Sequence, residues 1–281
     1  AWVSESMMST VTAPAMPTNS PPPPATARLK PQVNAVTGDI IGLEALTRWS
    51  GFEGEIIGPD VFMKVIENSG LISDFSAWLF DSVFKQMKLW HDILKPAGQL
   101  SISINLSAKQ LKNKELTSII KDKCQEYGVS PACIILEITE TAIIEDPKQA
   151  TTTLQALNEA GFELSLDDFG TGYSSLAYLR SMPFQSVKID KSFIQDVLDD
   201  NDDAEIVSTI ISLAKRLRLK VIAEGVSSQA IKAWLIDNSC NLHQGFYFYK
   251  PLPPHEVYPL LLSNRKDKDL YAPSKKTEPL S

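Results

Sequence analysis

Seven short apolar runs in this 281-residue chain each end in a side chain that can bind a metal ion, a phosphate or a water, which limits the fold severely. Glu44 closes the first run, Asn105 follows Leu100 to Ile104, and Glu137 follows Ile134 to Leu136. Asp167 and Asp168 follow Glu163 to Leu166, and Lys188 follows Val187. Glu224 follows Val221 to Ala223, and Gln244 follows Leu242 and His243. A single acid at the end of a strand is an ordinary solvated loop residue. Repetition at successive strand ends is different, because a parallel barrel gathers those ends at one rim.

The intervening pattern alternates strand and helix. Leu29 to Val33 and Ile40 to Leu46 read as strands joined by a turn at Thr37-Gly38. That connection is too short for a crossover helix, so the two strands should pair antiparallel. Further strands are expected at Leu100 to Leu106, Cys133 to Ile138, Phe162 to Asp168, Ser186 to Ile189, Lys220 to Glu224 and Leu242 to Phe246. Helices are expected from Pro59 as a first-turn proline, and over Asp74 to Leu94, Glu115 to Tyr127 and Asp146 to Ala160. Others should run from Ala204 to Arg218, from Ser228 to Asp237 and onward from Pro253 or Pro254.

Eight strands in roughly 235 residues predict an α/β fold, a TIM-like (β/α)8 barrel of near-typical size, ~250 residues. A doubly wound sheet is the competing architecture, but it usually binds nucleotides through a glycine-rich first turn. The one Gly-x-Gly here, Gly170-Thr171-Gly172, lies mid-chain without a third glycine.

Residues 1–27 are rich in Ser, Thr, Ala, Met and Pro, with Pro21 to Pro24 consecutive, and should form a disordered or extended linker. The chain lacks an initiator Met, so it is expected to be a piece of a longer protein with a sensory domain beyond that linker. Residues 28–263 should form the folded domain, and 264–281 a polar tail.

A formal net charge of −7 argues against gripping long nucleic acid through a basic face. A small phosphate ligand remains compatible if metal ions supply the positive charge. Cys124, Cys133 and Cys240 show no Cys-x-x-Cys spacing, which points to a reducing, cytoplasmic compartment. The three histidines are too dispersed for a histidine metal site. No apolar run approaches the ~18 residues of a membrane span.

The strand-end residues Glu44, Asn105, Glu137, Asp167, Asp168 and Glu224 offer oxygen atoms, a set that selects hard divalent cations such as Mg²⁺ or Mn²⁺. So many carboxylates in one place repel one another unless cations neutralise them. Two ions ~3.5–4 Å apart can activate water and stabilise the leaving oxygen of a phosphodiester. Lys188 among the acids could orient that water, and Arg48 beyond Glu44 could fork onto a phosphate. Gly170 to Ser175 form a glycine- and hydroxyl-rich loop that could close over substrate or relay a signal from another domain.

Glu44-Ala45-Leu46 followed by Arg48-Trp49 resembles the signature of the EAL-domain cyclic di-GMP phosphodiesterases. The resemblance continues through PDVFMKVIENSGLI, SINLSAKQL, LEITET, LSLDDFGTGYSSLAYL, VKIDKSFI, VIAEGV and HQGFYFYKPLP, in order. It implies a barrel with one antiparallel strand that hydrolyses cyclic di-GMP to linear pGpG with Mg²⁺ or Mn²⁺, Ca²⁺ being inhibitory.

On this resemblance Glu44, Asn105, Glu137 and Asp167 hold one metal, and Asp167, Asp168 and Glu224 the other. Lys188, Glu224, Glu44 and Asp167 are the expected catalytic groups. Leu46, Arg48, Asn105, Asp168, Gln244 and Lys30 are expected to meet substrate, and Gln244 also supports the site. Glu140 is expected to anchor the loop that begins at Asp168. A homodimer and an attached sensory or regulatory domain are also implied.

Three positions depart from the family pattern: Lys30 stands where Gln is usual before the first-strand proline, Ser227 where a second Glu is usual, and Thr47 where an aliphatic residue is common. Receptor-type members, which bind cyclic di-GMP without efficient turnover, typically lose metal ligands or the Asp pair. This chain keeps them all.

Overall fold

The computed structural model describes residues 25–50, 55–94, 100–171, 179 and 181–271. Its strands are β1 (Ala25–Asn34), β2 (Ile40–Ser50), β3 (Ile56–Ile57), β4 (Ser101–Leu106) and β5 (Ile134–Thr139). They continue with β6 (Glu163–Phe169), β7 (Ser186–Ile189), β8 (Lys220–Ala223) and β9 (Leu242–His243). Eight close into a barrel, in the order β1-β2-β4-β5-β6-β7-β8-β9 and back to β1, while β3 pairs outside it with β2. β1 runs antiparallel to both neighbours, and the remaining barrel pairings are parallel.

The β1–β2 hairpin turns where the sequence indicated. Gly38 takes a left-handed φ of 78°, and the Asn34 side chain accepts hydrogen bonds from the Val36 and Thr37 amides. β1 begins at Ala25, three positions inside the segment expected as linker, and residues 1–24 lie outside the described residues. The final helix, Pro254–Tyr271, likewise runs past the boundary expected at 263.

Helix ends follow local chemistry. Pro59 opens Pro59–Ser69, which stops at Gly70 in the left-handed region, φ 76°. Asp146 caps Pro147–Glu159 by accepting from the Gln149 amide at 3.1 Å. No helix among the described residues is long and apolar enough to cross a membrane.

Packing divides sharply between the two faces of the barrel wall. Outward residues such as Ile102, Ile104, Ile134, Leu136 and Leu164 are buried against helices, with Phe80, Phe84 and Trp90 of helix Ile72–Leu94 also in the core. The alternate residues are largely polar: Ser103, Ser165, Ser186 and Lys188 are at most 2 % exposed. Barrel interiors are usually filled by branched aliphatic side chains. Here apolar burial is concentrated between strands and helices, leaving the strand ends free to carry charge.

Candidate active site

Seven different strands of the barrel deliver the expected residues. β2 brings Glu44, β4 Asn105, β5 Glu137, β6 Asp167 and Asp168, and β7 Lys188. Glu224 and Gln244 follow directly after β8 and β9. Carboxylate oxygens of Glu44, Glu137 and Asp167 all lie within 4.8 Å of one another, and all three residues are buried. Glu224 and Asp168 are not part of that tight trio.

Lys188 ties the acids together. Its Nζ lies 2.7 Å from Glu224, 2.8 Å from Glu137, 3.2 Å from Asp167 and 3.6 Å from Glu44. Burial opposes its charge, but Asp167, Glu137, Glu224 and Glu44 outweigh that cost and hold the ammonium's pKa well above the ordinary lysine value. One ammonium therefore faces four carboxylates, an arrangement short of positive charge.

The imbalance appears in the acids themselves. Burial pushes the Glu137 carboxyl well up; Lys188 pulls against it, while Glu44 and Asp167 add to it. Burial likewise raises Asp167 and Glu224, again only partly offset by Lys188. Glu44 is the exception. Burial would raise it, but Lys188, Lys30 and the amides of Asn105 and Gln244 together hold it below the usual value. Those amides donate to Glu44 at 3.0 Å from Asn105 Nδ2 and 2.7 Å from Gln244 Nε2.

The Asp pair sits at a break in the ladder. Pairing of β6 with β7 shifts register between Leu166 and Phe169, and Asp168 takes a left-handed φ of 53°. Simple alternation would send adjacent side chains to opposite faces, and the irregularity is what lets both carboxylates join one field. Burial, then Asp190 and Glu224, raise Asp168. Just beyond, the Gly170 amide donates to the buried Glu140 carboxylate at 3.1 Å. Residues 172–178 of the adjoining loop lie outside the described residues.

The residues expected to meet substrate fall on the β1–β2 hairpin and beside a neighbouring cavity. On the antiparallel hairpin Lys30 pairs with Glu44, Arg28 with Leu46 and Thr26 with Arg48. Leu46, Arg48 and Asn105 line a cavity of about 440 Å³ shared with Phe62, Phe75 and Thr141. The Arg48 guanidinium also donates to the Thr47 carbonyl at 2.9 Å. Sequence reasoning passed over Asp190, whose charge reaches Asp168 and whose side chain accepts from the Ser192 amide at 2.9 Å. Its one signal was its place two residues past Lys188.

The backbone around Glu224 and Gln244 is tightly constrained. Gln244 donates its amide to Ala223 at 2.8 Å, and its carbonyl accepts from Val226 at 3.2 Å. A Cβ on Gly245 would stand 2.0 Å from the Val226 carbonyl oxygen, so that position must be glycine. This turn also ends β9 after two residues, where a longer strand to Phe246 was expected.

The donor set fits divalent metal ions. It is all oxygen, its acids outnumber its cations, and buried Oε1 atoms of Glu137 and Gln244 have no hydrogen-bond partner among the described residues. A polar atom buried in that way is costly unless something satisfies it.

A closed eight-stranded barrel that gathers acids, two amides and one buried lysine is an α/β barrel whose donor set fits divalent cations. Residues 26–251 match the EAL domain family, and the chain belongs to it. It is 38 % identical over 227 residues to "Signaling protein YkoW" of Bacillus subtilis, covering 81 % of this chain and 28 % of that protein. It is 38 % identical over 228 residues to the Pseudomonas aeruginosa "Bifunctional diguanylate cyclase/cyclic di-GMP phosphodiesterase MucR", covering 81 % of this chain and 33 % of that protein. The chain thus spans about a third of the length of these relatives. The solved "PaMucR Phosphodiesterase, c-di-GMP complex" superposes with a TM-score of 0.79 at 37 % identity, covering 83 % of this chain and 94 % of that one.

Proposed function

We propose that this domain is a metal-dependent phosphodiesterase that opens cyclic di-GMP to linear pGpG. The observation that carries it is the buried trio Glu44, Glu137 and Asp167 around Lys188, within one side chain of a cavity that also takes Asn105 and Arg48. The complex of the MucR phosphodiesterase with c-di-GMP, a relative of the same fold, supports the choice of substrate.

Glu44, Asn105, Glu137 and Asp167 would hold one ion, and Asp167, Asp168 and Glu224 the other, with Mg²⁺ or Mn²⁺ preferred. When bound, such ions neutralise the acids and increase the acidity of a water. The chain's own groups do the positioning. Lys188, held protonated, donates hydrogen bonds and does not take a proton, so its part is to orient the attacking water and offset charge on the phosphate. The water's proton passes to a carboxylate of the cluster. Water oxygen bonds to phosphorus as the bond to the 3′ oxygen breaks; that oxygen takes a proton from solvent to become a hydroxyl, leaving a 5′-phosphate on a linear dinucleotide.

Gln244 and Asn105 fix the Glu44 carboxylate, Glu140 steadies the backbone after Asp168, and Leu46, Arg48 and Lys30 meet the dinucleotide. Residues 28–263 would act in the cytoplasm as a homodimer attached to a sensory or regulatory domain. Receptor behaviour, binding without turnover, is the second reading; retention of the Asp pair and all the strand-end ligands favours the enzyme.

Glu44→Ala and Asp167→Ala should each lower hydrolysis by at least ~10²-fold, the scale of losing a key charge-stabilising group. Circular dichroism should stay unchanged, because barrel stability resides away from the rim. Near-normal turnover in either folded variant would sink the metal assignment.

A further inference from the structure

Lys30 places a second ammonium where this family's resemblance pattern has a neutral Gln. It is directly opposite Glu44 in the antiparallel ladder, so the two side chains leave the same face of the hairpin. Opposed residues on one face have Cβ atoms ~4.5–5.5 Å apart, within reach of a lysine side chain. Lys30 is half-buried and makes no ion pair within 4 Å among the described residues, yet its charge is felt by both Glu44 and Glu224. Those two carboxylates come from β2 and from the end of β8, on opposite flanks of β1 and β9 in the barrel order. Lys188 already engages the same pair from below.

We propose that Lys30 is a resident counter-cation that competes with divalent metal for Glu44 and Glu224, so that this domain needs more metal than it would with a neutral residue there. The inference deepens the metal-dependent function proposed for the same site and presupposes it. A divalent ion taken up by Glu44 or by Glu224 meets the like charge of the Lys30 side chain, and at partly buried positions such repulsion is screened only in part. Lys30 must then swing outward, giving up its attraction to the acids. The consequence is a lower affinity for metal in the absence of any substrate, which separates this role from contact with the dinucleotide.

The test is calorimetric Mn²⁺ binding to the substrate-free domain for wild type, Lys30→Gln, Lys30→Met and Lys30→Arg. The expected result is binding on the order of tenfold tighter in the Gln and Met variants, unchanged in the Arg variant, with a gap that narrows as salt rises. Equal affinity in wild type and Lys30→Gln would overturn the inference while leaving the metal site standing. So would tightening in Lys30→Arg as large as that in Lys30→Gln, because charge would then not be the cause. Absence of Mn²⁺ binding in all four proteins would instead overturn the metal-dependent function itself.

Discussion

Lys188 is the residue on which the apo site depends. Four carboxylates approach its ammonium within 4 Å, and Lys188 itself is fully buried. Breaking a buried charge network by removing one partner costs about 3–5 kcal/mol, because the remaining charges are left uncompensated. Lys188→Met should therefore lower urea-unfolding stability by about that amount in EDTA. Millimolar Mn²⁺ should restore part of the loss, since the ion supplies the missing positive charge. A variant as stable as wild type in EDTA would show that the acids are protonated or hydrated enough to need no cation. The single amides on Glu44 matter in a different way: Asn105 and Gln244 hold its orientation and help keep it ionised, where its neighbours are pushed toward protonation.

At the scale of elements, the turn after β9 is what aims Gln244. Gly245→Ala places a methyl group 2.0 Å from the Val226 carbonyl, which must move and take Gln244 with it. We expect a loss of ~10²-fold in turnover, the cost of a small misplacement in a positioned site, with a fall in melting temperature measured on the same protein. Wild-type kinetics in this variant would show that the segment has slack.

The parallel strands and the polar side chains that follow their apolar runs were legible because each apolar run had to stop where a polar residue began. Ser186 to Ile189 matched the strand at both ends, Pro59 and Pro254 open their helices as expected, and the other expected helices differed by one to three residues at their starts. Helices Ala108–Leu111, Glu140–Glu145 and Lys191–Gln195 were not legible, since stretches of a turn or so carry no periodicity. Nor were the bulge at Asp168 or the contact of Glu140 with Gly170, which arise from tertiary register; Glu140 was named through resemblance alone. The polar barrel lining escaped for another reason. Ser103, Ser165 and Ser186 read as ordinary alternation until closure placed them inside.

For the whole molecule, the barrel separates stability from chemistry. Aliphatic and aromatic side chains between strands and helices hold the fold, while the inner face and rim hold a net excess of acids that bound cations would balance. The central claim is that this excess is a metal centre for opening a cyclic dinucleotide. It is tested most directly by incubating the purified domain with cyclic di-GMP and following pGpG by chromatography with Mg²⁺, Ca²⁺ or EDTA. Mg²⁺ demands near-octahedral ligands at about 2.0–2.1 Å, whereas Ca²⁺ takes six to eight at about 2.3–2.6 Å and would set the water wrongly against phosphorus. The account predicts pGpG with Mg²⁺, at least ~10²-fold less with Ca²⁺, and none with EDTA. Equal turnover under all three conditions, or cyclic di-GMP bound but never cleaved with Mg²⁺, would contradict it.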